Sequence, residues 1–358
     1  MTLTRRTFIG SAAAMTCLGS VARAAQYAPT PSGWRTFVLT TRIALPRQGA
    51  AAEAWVPVPY HADETWARPG ATTFQTTGEA ALVRDDAQGI AYVHARWDAG
   101  ETPAALEVVS RASVQDRRVD LTGSGAAELS DAERALHLAA TDFIPTNGLV
   151  LDTARAIVGD ADDDLTKARR IYDWVVEQTE RNPETRGCGL GDVASMLATG
   201  DLTGKCADLN ALYVGLARAA GLPARDLYGL RVAPSAFGYK ALGAGSETVT
   251  KAQHCRAEVF IDGAGWVPVD PADVRKVVLE EPPKTLTLAD PEVAAVRAGL
   301  FGGAEGNWLC YNTAHDVTLP GLTGTLPFFM YPQAVIDGVP QDELDPATFT
   351  YEISVAAG

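Results

Sequence analysis

Residues 204–225 read GKCADLNALYVGLARAAGLPAR and point to both the fold and a candidate site. Apolar side chains recur at helical spacing, which predicts a buried helix; they are Leu209, Leu212, Tyr213, Leu216 and Ala220. Gly221 and Pro223 follow and are typical of a helix end. The pattern therefore predicts a core helix whose first turn carries a cysteine, Cys206.

A cysteine at a helix N-terminus has two interpretations. Unpaired N–H groups and the partial positive charge of the helix end favour the thiolate, which is the nucleophilic form. A lone cysteine in this position is otherwise a small apolar residue that packs in the core. The choice for Cys206 depends on what other parts of the chain bring to it.

Two later segments supply the partners that a nucleophilic thiol needs. Residues 252–262 (AQHCRAEVFID) and 265–270 (GWVPVD) are predicted to be two strands joined by a tight turn. His254 lies in the first strand and can give a proton to a leaving group. Asp270 ends the second strand and can orient the imidazole through its far nitrogen.

The register of this hairpin decides whether the histidine and the aspartate meet. A loop of residues 261–263 pairs Glu258 with Trp266 and places His254 opposite Asp270. A loop of residues 263–265 pairs Asp270 with Glu258 instead, roughly 13 Å along the strand from His254. A slip of one residue would turn Asp270 to the other face. The sequence leaves these alternatives open.

These segments resemble the transglutaminase-like core of bacterial papain-related proteins. The pieces that carry the resemblance are IYDWV at 171–175, GKCADLNALYVGLARAAGLPAR at 204–225 and QHCRAEVFIDGAGWVPVDP at 253–271. They match, in order, the family pattern G-x-C, G-[IL]-P-A-R, H-x-x-x-E and G-W-x-x-x-D-P. The resemblance implies that Cys206 is the nucleophile, His254 the base or imidazolium and Asp270 its orienting carboxylate. Arg256 stands where many members carry an aromatic residue.

The stabilisation of an oxyanion is expected to begin with the backbone N–H of Cys206. By the resemblance, a second donor comes from a side chain upstream of the cysteine. Trp174 is a candidate, although its place in IYDWVV also suits a core residue. Asn210, one turn beyond Cys206 on the same helix face, is a second candidate for the site.

The chain is predicted to have an α+β fold, with an antiparallel β-sandwich before a papain-like core of helices on an antiparallel sheet. Short β-branched and aromatic runs between turns predict the sandwich in residues 25–122. Helical periodicity from Ser130 onward places the catalytic core at 123–295, and residues 296–358 are predicted to be a C-terminal extension that packs on the core.

Residues 1–24 resemble a twin-arginine export signal. Arg5 and Arg6 precede a short apolar stretch, and residues 22–24 (Ala-Arg-Ala) supply a cleavage motif. The mature protein is therefore expected to be periplasmic or secreted, with no segment that spans a membrane.

Charge and cysteine usage narrow the function classes. The chain of 358 residues has a formal net charge of −14, or −17 without the three arginines of the signal. Such an acidic protein is a poor partner for nucleic acid. Cysteine and histidine spacings show no metal-binding pattern, so no metal and no cofactor are expected. Of the remaining cysteines, Cys188, Cys255 and Cys310 offer three alternative disulfide bridges.

The sequence thus predicts a cysteine peptidase or amidase that acts on a peptide or protein substrate through a thioester. A protein-crosslinking transglutaminase would use the same triad with an amine in place of water. A non-catalytic binding or assembly module on the same fold is the alternative from another class.

Overall fold

The computed structural model describes residues 26–122, 125 and 127–358. The predicted export signal, residues 1–24, lies outside these residues. Among the described residues, no helix is long and apolar enough to cross a membrane.

Strands come first in the described chain, and their burial alternates as expected for a sheet with one covered face. Along β1 and β6 every second side chain is buried, because successive side chains of a strand point to opposite faces. The strands are β1 (Arg35–Leu45), β2 (Ala52–Pro57), β3 (Ala67–Thr76), β4 (Glu79–Asp85), β5 (Ile90–Trp97), β6 (Ala104–Val114) and β7 (Arg117–Arg118).

Most of the helices lie in the next part of the chain, between Asp131 and Gly299. The predicted capping box of Ser130 and Glu133 is present at the first of them. The elements are α1 (Asp131–Leu138), α2 (Gly148–Val158), α3 (Asp164–Gln178), β8 (Glu180–Arg181), α4 (Val193–Thr199), β9 (Thr203–Gly204), α5 (Cys206–Ala219), β10 (Ala224–Arg231), a 3-10 turn (Lys240–Leu242), β11 (Gln253–Ile261), β12 (Gly265–Val269), α6 (Pro271–Glu280) and α7 (Pro291–Gly299). The chain closes with β13 (Gly303–Ala304), β14 (Trp308–Asn312), β15 (Gln333–Ile336), β16 (Val339–Pro340) and β17 (Thr350–Ala357).

Two antiparallel sheets, ordered β17-β1-β6-β3 and β16-β15-β2-β5-β4, contain the N-terminal strands. Residues of both sheets share one hydrophobic cluster, which includes Ile43 and Leu106 from the first sheet and Val56 and Val93 from the second. Strands β15 and β17 come from the C-terminal part of the chain and pair with β2 and β1. Of the predicted C-terminal extension, β14 joins the sheet of the core, whereas these later strands complete the N-terminal sheets.

The core sheet has the order β12-β11-β10-β14, and helix α5 packs against β10 and β11 on one side and against α2, α3 and α6 on others. Every residue of α5 from Cys206 to Arg218 is buried, which confirms the predicted core helix. Helices on antiparallel sheets also confirm the predicted α+β class. The start of α5 is therefore buried, and the elements packed around the helix hold it in place.

The hairpin of β11 and β12 has neither of the two predicted registers. Ile261 pairs with Gly265 and Glu258 with Pro268, so the loop is 262–264. The physical reason is that glycines with positive φ, Gly263 at 79° and Gly265 at 83°, let the chain reverse there. Both predicted registers were therefore wrong by two residues. The shift is even, so Asp270 stays on the face of His254.

Candidate active site

Cys206 is the first residue of α5 and is buried, with 4% of its surface exposed. The N–H groups of the first turn of a helix have no partner within the helix. The sulfur therefore lies at the partial positive charge of a helix end, where the N–H of Ala207 donates to the carbonyl of Cys188 at 2.9 Å. This agrees with the placement predicted from the sequence.

His254 and Asp270 meet in a buried contact. His254 Nε2 lies 2.8 Å from Asp270 Oδ2, and both side chains are almost fully shielded from solvent. The other carboxylate oxygen, Oδ1, accepts the backbone N–H of Asp273 at 3.0 Å and so caps α6. One aspartate thus contacts the imidazole and caps a helix, and the cap fixes the position of its carboxylate.

The pKa values of the Cys206 thiol and the His254 imidazole are shifted in the directions that favour an ion pair. Hydrogen bonds from the Cys188 and Cys255 thiols hold the pKa of Cys206 well below its ordinary value, burial opposes this, and the contact with His254 lowers the pKa further. Burial and Arg231 oppose the charged imidazole, but Asp273 and Asp270 outweigh them and raise the pKa of His254. A thiolate beside an imidazolium is the state that these shifts favour.

A second buried carboxylate, Asp273, supports the histidine and was missed by the sequence reasoning. Asp273 Oδ2 lies 3.5 Å from His254 Nε2, and its Oδ1 accepts Arg231 Nη2 at 2.6 Å. Although burial opposes ionisation, the Arg231 guanidinium holds the pKa of Asp273 well below its usual range. The signal in the sequence is D-P-A-D at 270–273, which places two acids across the first turn of a helix.

A cluster of thiols surrounds the candidate nucleophile. The sulfur atoms of Cys188, Cys206 and Cys255 all lie within 4.8 Å of one another. The four described cysteines are free, and the three alternative disulfides predicted from the sequence are not formed. The thiol of Cys310 is directed to the carbonyl of Asn312 at 3.5 Å.

Asp208 fixes the loop that carries Cys188 to the start of α5. Its Oδ1 accepts the N–H groups of Leu190 and Gly191 at 3.0 Å each, and its Oδ2 accepts the N–H of Lys205 at 2.9 Å. Gly189 has a φ of 92°, and a Cβ at that position would overlap Asp208 Oδ2. The loop can approach the carboxylate this closely only with glycine.

The two candidates for oxyanion contacts have different surroundings. Asn210 is buried and its Nδ2 donates to the carbonyl of Cys255 at 2.8 Å and to Asp270 Oδ1 at 3.3 Å. Its amide hydrogens therefore brace the carboxylate rather than face a substrate. Trp174 is partly buried and packs against the helical core, whose members include Ile171 and Val175. Its role as a donor stays a prediction.

The C-terminal segment holds the histidine strand from the other side, a contribution that the sequence did not reveal. Trp308 Nε1 donates to the carbonyl of His254 at 2.9 Å. Arg256, the residue that departs from the family pattern, donates to the carbonyl of Glu305 at 2.9 Å and lies over the Trp308 ring. Arg256 is thus a link between β11 and β14.

A cleft of about 580 Å³ leads to this site. Its wall includes Cys188, and the apolar side chains Met196 and Phe328. The acidic residues that line it are Asp192, Asp201, Asp208 and Glu343. Arg186, the basic side chain of its wall, is paired with Asp342. The lining therefore includes Cys188, whose sulfur lies within 4.8 Å of that of Cys206, and carries an excess of negative charge.

Comparisons with known proteins agree with this geometry. Residues 151–271 match the sequence model of the transglutaminase-like superfamily, a range that includes Cys206, His254 and Asp270. An uncharacterized protein of Haemophilus influenzae strain Rd is 33% identical over 95% of this chain and 96% of its own length. The crystal structure of a candidate cysteine protease from Cytophaga hutchinsonii superposes with a TM-score of 0.51, at 15% identity, over 92% of this chain and all of that one.

The cysteine that begins α5 and the buried His254–Asp270 contact lie within the matched part of the chain. Through residues 151–271 the chain belongs to the transglutaminase-like superfamily. The structural likeness supports the shared fold.

Proposed function

We propose that the protein is a thiol-dependent acyl-transfer enzyme that hydrolyses amide bonds, with Cys206 as nucleophile, His254 as proton carrier and Asp270 as its orienting group. The observation that carries the proposal is the buried His254–Asp270 hydrogen bond at 2.8 Å beside a cysteine that begins a helix. Each component has a chemical purpose in this arrangement, whereas a binding module has no need of an activated thiol.

The first half of the reaction forms a thioester. The Cys206 thiolate attacks the carbonyl carbon of the substrate, and the electron pair of the C=O bond moves to oxygen. The N–H of Cys206 at the start of α5 is the first donor for that oxyanion. The His254 imidazolium then gives its proton to the amide nitrogen, the C–N bond breaks and the amine leaves.

The second half releases the acyl group. Neutral His254 takes a proton from a water molecule, the resulting hydroxide attacks the thioester carbonyl, and the C–S bond breaks to restore the Cys206 thiolate. An amine in place of water would give transamidation through the same residues. Hydrolysis is the primary proposal because water is the abundant acceptor.

The cleft that Cys188 lines is the proposed substrate site. Its acidic residues, among them Asp192 and Asp201, favour a peptide or protein that carries positive charge near the reacting bond. We also propose a periplasmic or secreted location, from the twin-arginine motif, and the domain division at about residues 25–122, 123–295 and 296–358. These proposals rest on sequence patterns and the cleft lining.

The test is product analysis with acyl-donor peptides. A library of peptides with basic and acidic residues near the amide is incubated with wild-type protein, with Cys206→Ala and with Cys310→Ala, and masses are measured. Wild type and Cys310→Ala should give cleaved peptides, with basic ones preferred, and Cys206→Ala none. Addition of a primary amine separates the two acyl-transfer reactions, since an amine adduct in place of the acid would identify a transglutaminase.

The non-catalytic alternative gives a different result. A binding module would retain peptides intact, and a thiol-directed activity probe would label wild type no better than Cys206→Ala. Absence of both cleavage and adduct across the library, together with that labelling result, would contradict the proposed enzyme.

A further inference from the structure

Three thiols from three separate elements converge next to the candidate nucleophile. Cys188 lies in the loop before α4, Cys206 begins α5 and Cys255 lies in β11. Their sulfur atoms are all within 4.8 Å of one another, and the three residues are buried. Acyl transfer uses only one of these sulfurs as the nucleophile; the other two thiols stabilise its thiolate but form no bond to the substrate.

We propose that the three sulfur atoms of Cys188, Cys206 and Cys255 form a binding site for a soft monovalent metal ion, Cu(I), and that its occupation blocks Cys206. Three sulfurs that surround one ion at about 2.3 Å each lie about 4 Å apart, and the three sulfur atoms here all lie within 4.8 Å of one another. The three sulfur atoms are therefore close enough together to bind one ion.

The ligand set selects the metal. Thiolates are soft ligands that favour Cu(I), while carboxylates and carbonyls suit harder ions. Structural zinc sites take four ligands in a tetrahedron. The group of mutually close ligand atoms here contains three sulfurs, and His254 Nε2 is already bound to Asp270. A three-coordinate ion fits this arrangement better than a tetrahedral one.

The charge of the complex follows from its ligands. Cu(I) joins the Cys206 thiolate and displaces the protons of the Cys188 and Cys255 thiols, so that two protons leave and a complex of charge −2 forms. Cys206 is the first residue of α5, so the partial positive charge of that helix N-terminus offsets part of this charge.

This inference does not depend on the proposed reaction, because binding requires the thiols and not turnover. It predicts that the ion competes with any reagent for Cys206. Metal binding and catalysis can therefore be tested separately on the same protein.

The experiment is an anaerobic titration of the reduced protein with Cu(I) against the chromophoric chelator bicinchoninate. Wild type should bind one ion. Cys310→Ala, which removes a buried cysteine that is not one of the three proposed ligands, should also bind one ion. Cys188→Ala and Cys255→Ala should bind it more than about 100-fold more weakly, since loss of even an outer-shell partner costs 10–100-fold. One equivalent of Cu(I) should also stop alkylation of Cys206, and excess chelator should restore it.

X-ray absorption of the wild-type complex gives a readout that needs no variant. Three sulfur neighbours per copper are expected. Fewer than three, or equal affinity in wild type and Cys188→Ala, would overturn the metal site. If Cys206 proves unreactive in the peptide assay while copper binds with three sulfurs, the proposed function fails and the metal site stands. Rapid peptide cleavage without tight copper binding would support the proposed function and overturn the metal site.

Discussion

His254 Nε2 lies 2.8 Å from Asp270 Oδ2, although the two residues are diagonal and not directly opposite in their hairpin. The pairing of Ala257 with Val269 would continue to Arg256 opposite Asp270, two residues from the histidine. The contact forms because Asp270 lies just past the end of β12, where the chain turns into α6. Diagonal neighbours on one sheet face are within reach of long side chains.

The first prediction concerns that contact. Asp270→Asn should lower kcat on the cleaved peptide by on the order of 10⁴-fold, because the imidazole loses the charge and tautomer that the carboxylate imposes. The amide oxygen can still cap α6, so the melting temperature should change little. Steady-state kinetics and thermal unfolding check this. An unchanged kcat would show that Asp270 has no part in orienting the histidine.

The second prediction concerns the buried ion pair behind the histidine. Asp273→Asn should reduce the free energy of unfolding by about 3–5 kcal/mol, because it leaves the Arg231 guanidinium buried without its partner. The double variant Asp273→Leu with Arg231→Met should cost less than Asp273→Asn alone. Denaturant unfolding measures both.

An exposed ion pair provides the matched control for this experiment. Arg42 and Glu107 lie 2.7 Å apart on the surface, and Arg42→Met should change stability by less than about 1 kcal/mol. A loss for Asp273→Asn no larger than that of Arg42→Met would contradict a structural role for the buried pair.

The third prediction concerns the loop that carries Cys188. Gly189→Ala should destabilise the protein by roughly 1–3 kcal/mol, since φ is 92° there and the new Cβ would overlap the Asp208 carboxylate. Gly245 has open space where a Cβ would lie, and Gly245→Ala is the control with little expected change. Thermal unfolding of both variants gives the comparison, and equal melting temperatures would refute the close approach.

The fourth prediction is a bell-shaped pH dependence of kcat/KM. The acid limb should fall as the pH drops through the lowered pKa of Cys206, where the thiolate is protonated. The alkaline limb should fall as the pH rises through the raised pKa of His254, where the imidazolium is lost. The pair titrates as a unit, so both limbs describe the ion pair.

Asp273→Asn tests the direction in which the alkaline limb of this profile moves. Asp273 is among the groups that raise the pKa of His254, so its loss should move the alkaline limb to lower pH. The same raised pKa means that the histidine adds stability below its ordinary pKa, and this stability disappears as the pH rises through the folded value. A limb that stays in place or moves upward would contradict the contact.

The sequence predicted the parts of this structure that follow from local patterns of residues. The periodicity of 204–225 predicted α5. The order of Cys206, His254 and Asp270 pointed to the transglutaminase-like family, whose sequence model matches residues 151–271. The hairpin register was wrong because two glycines on either side of Ala264 allow several loops, and only packing selects one.

Long-range partners were beyond the reach of the sequence. Cys188 and Cys255 were predicted as candidates for disulfides, yet they lie around Cys206 as free thiols. Trp308 reaches His254 from a strand more than fifty residues later. Such contacts depend on how β14 and the C-terminal strands return to earlier sheets, which no local periodicity encodes.

The rate of alkylation of Cys206 by iodoacetamide at pH 6, followed peptide by peptide, tests the central claim most directly. A thiol with an ordinary pKa near 8.5 is only about 0.3% thiolate at that pH. Folded wild type should react at least about tenfold faster than the denatured chain, and His254→Ala should lose that advantage. A folded rate at or below the denatured rate, unaffected by His254→Ala, would show that Cys206 is a packing residue and not a nucleophile.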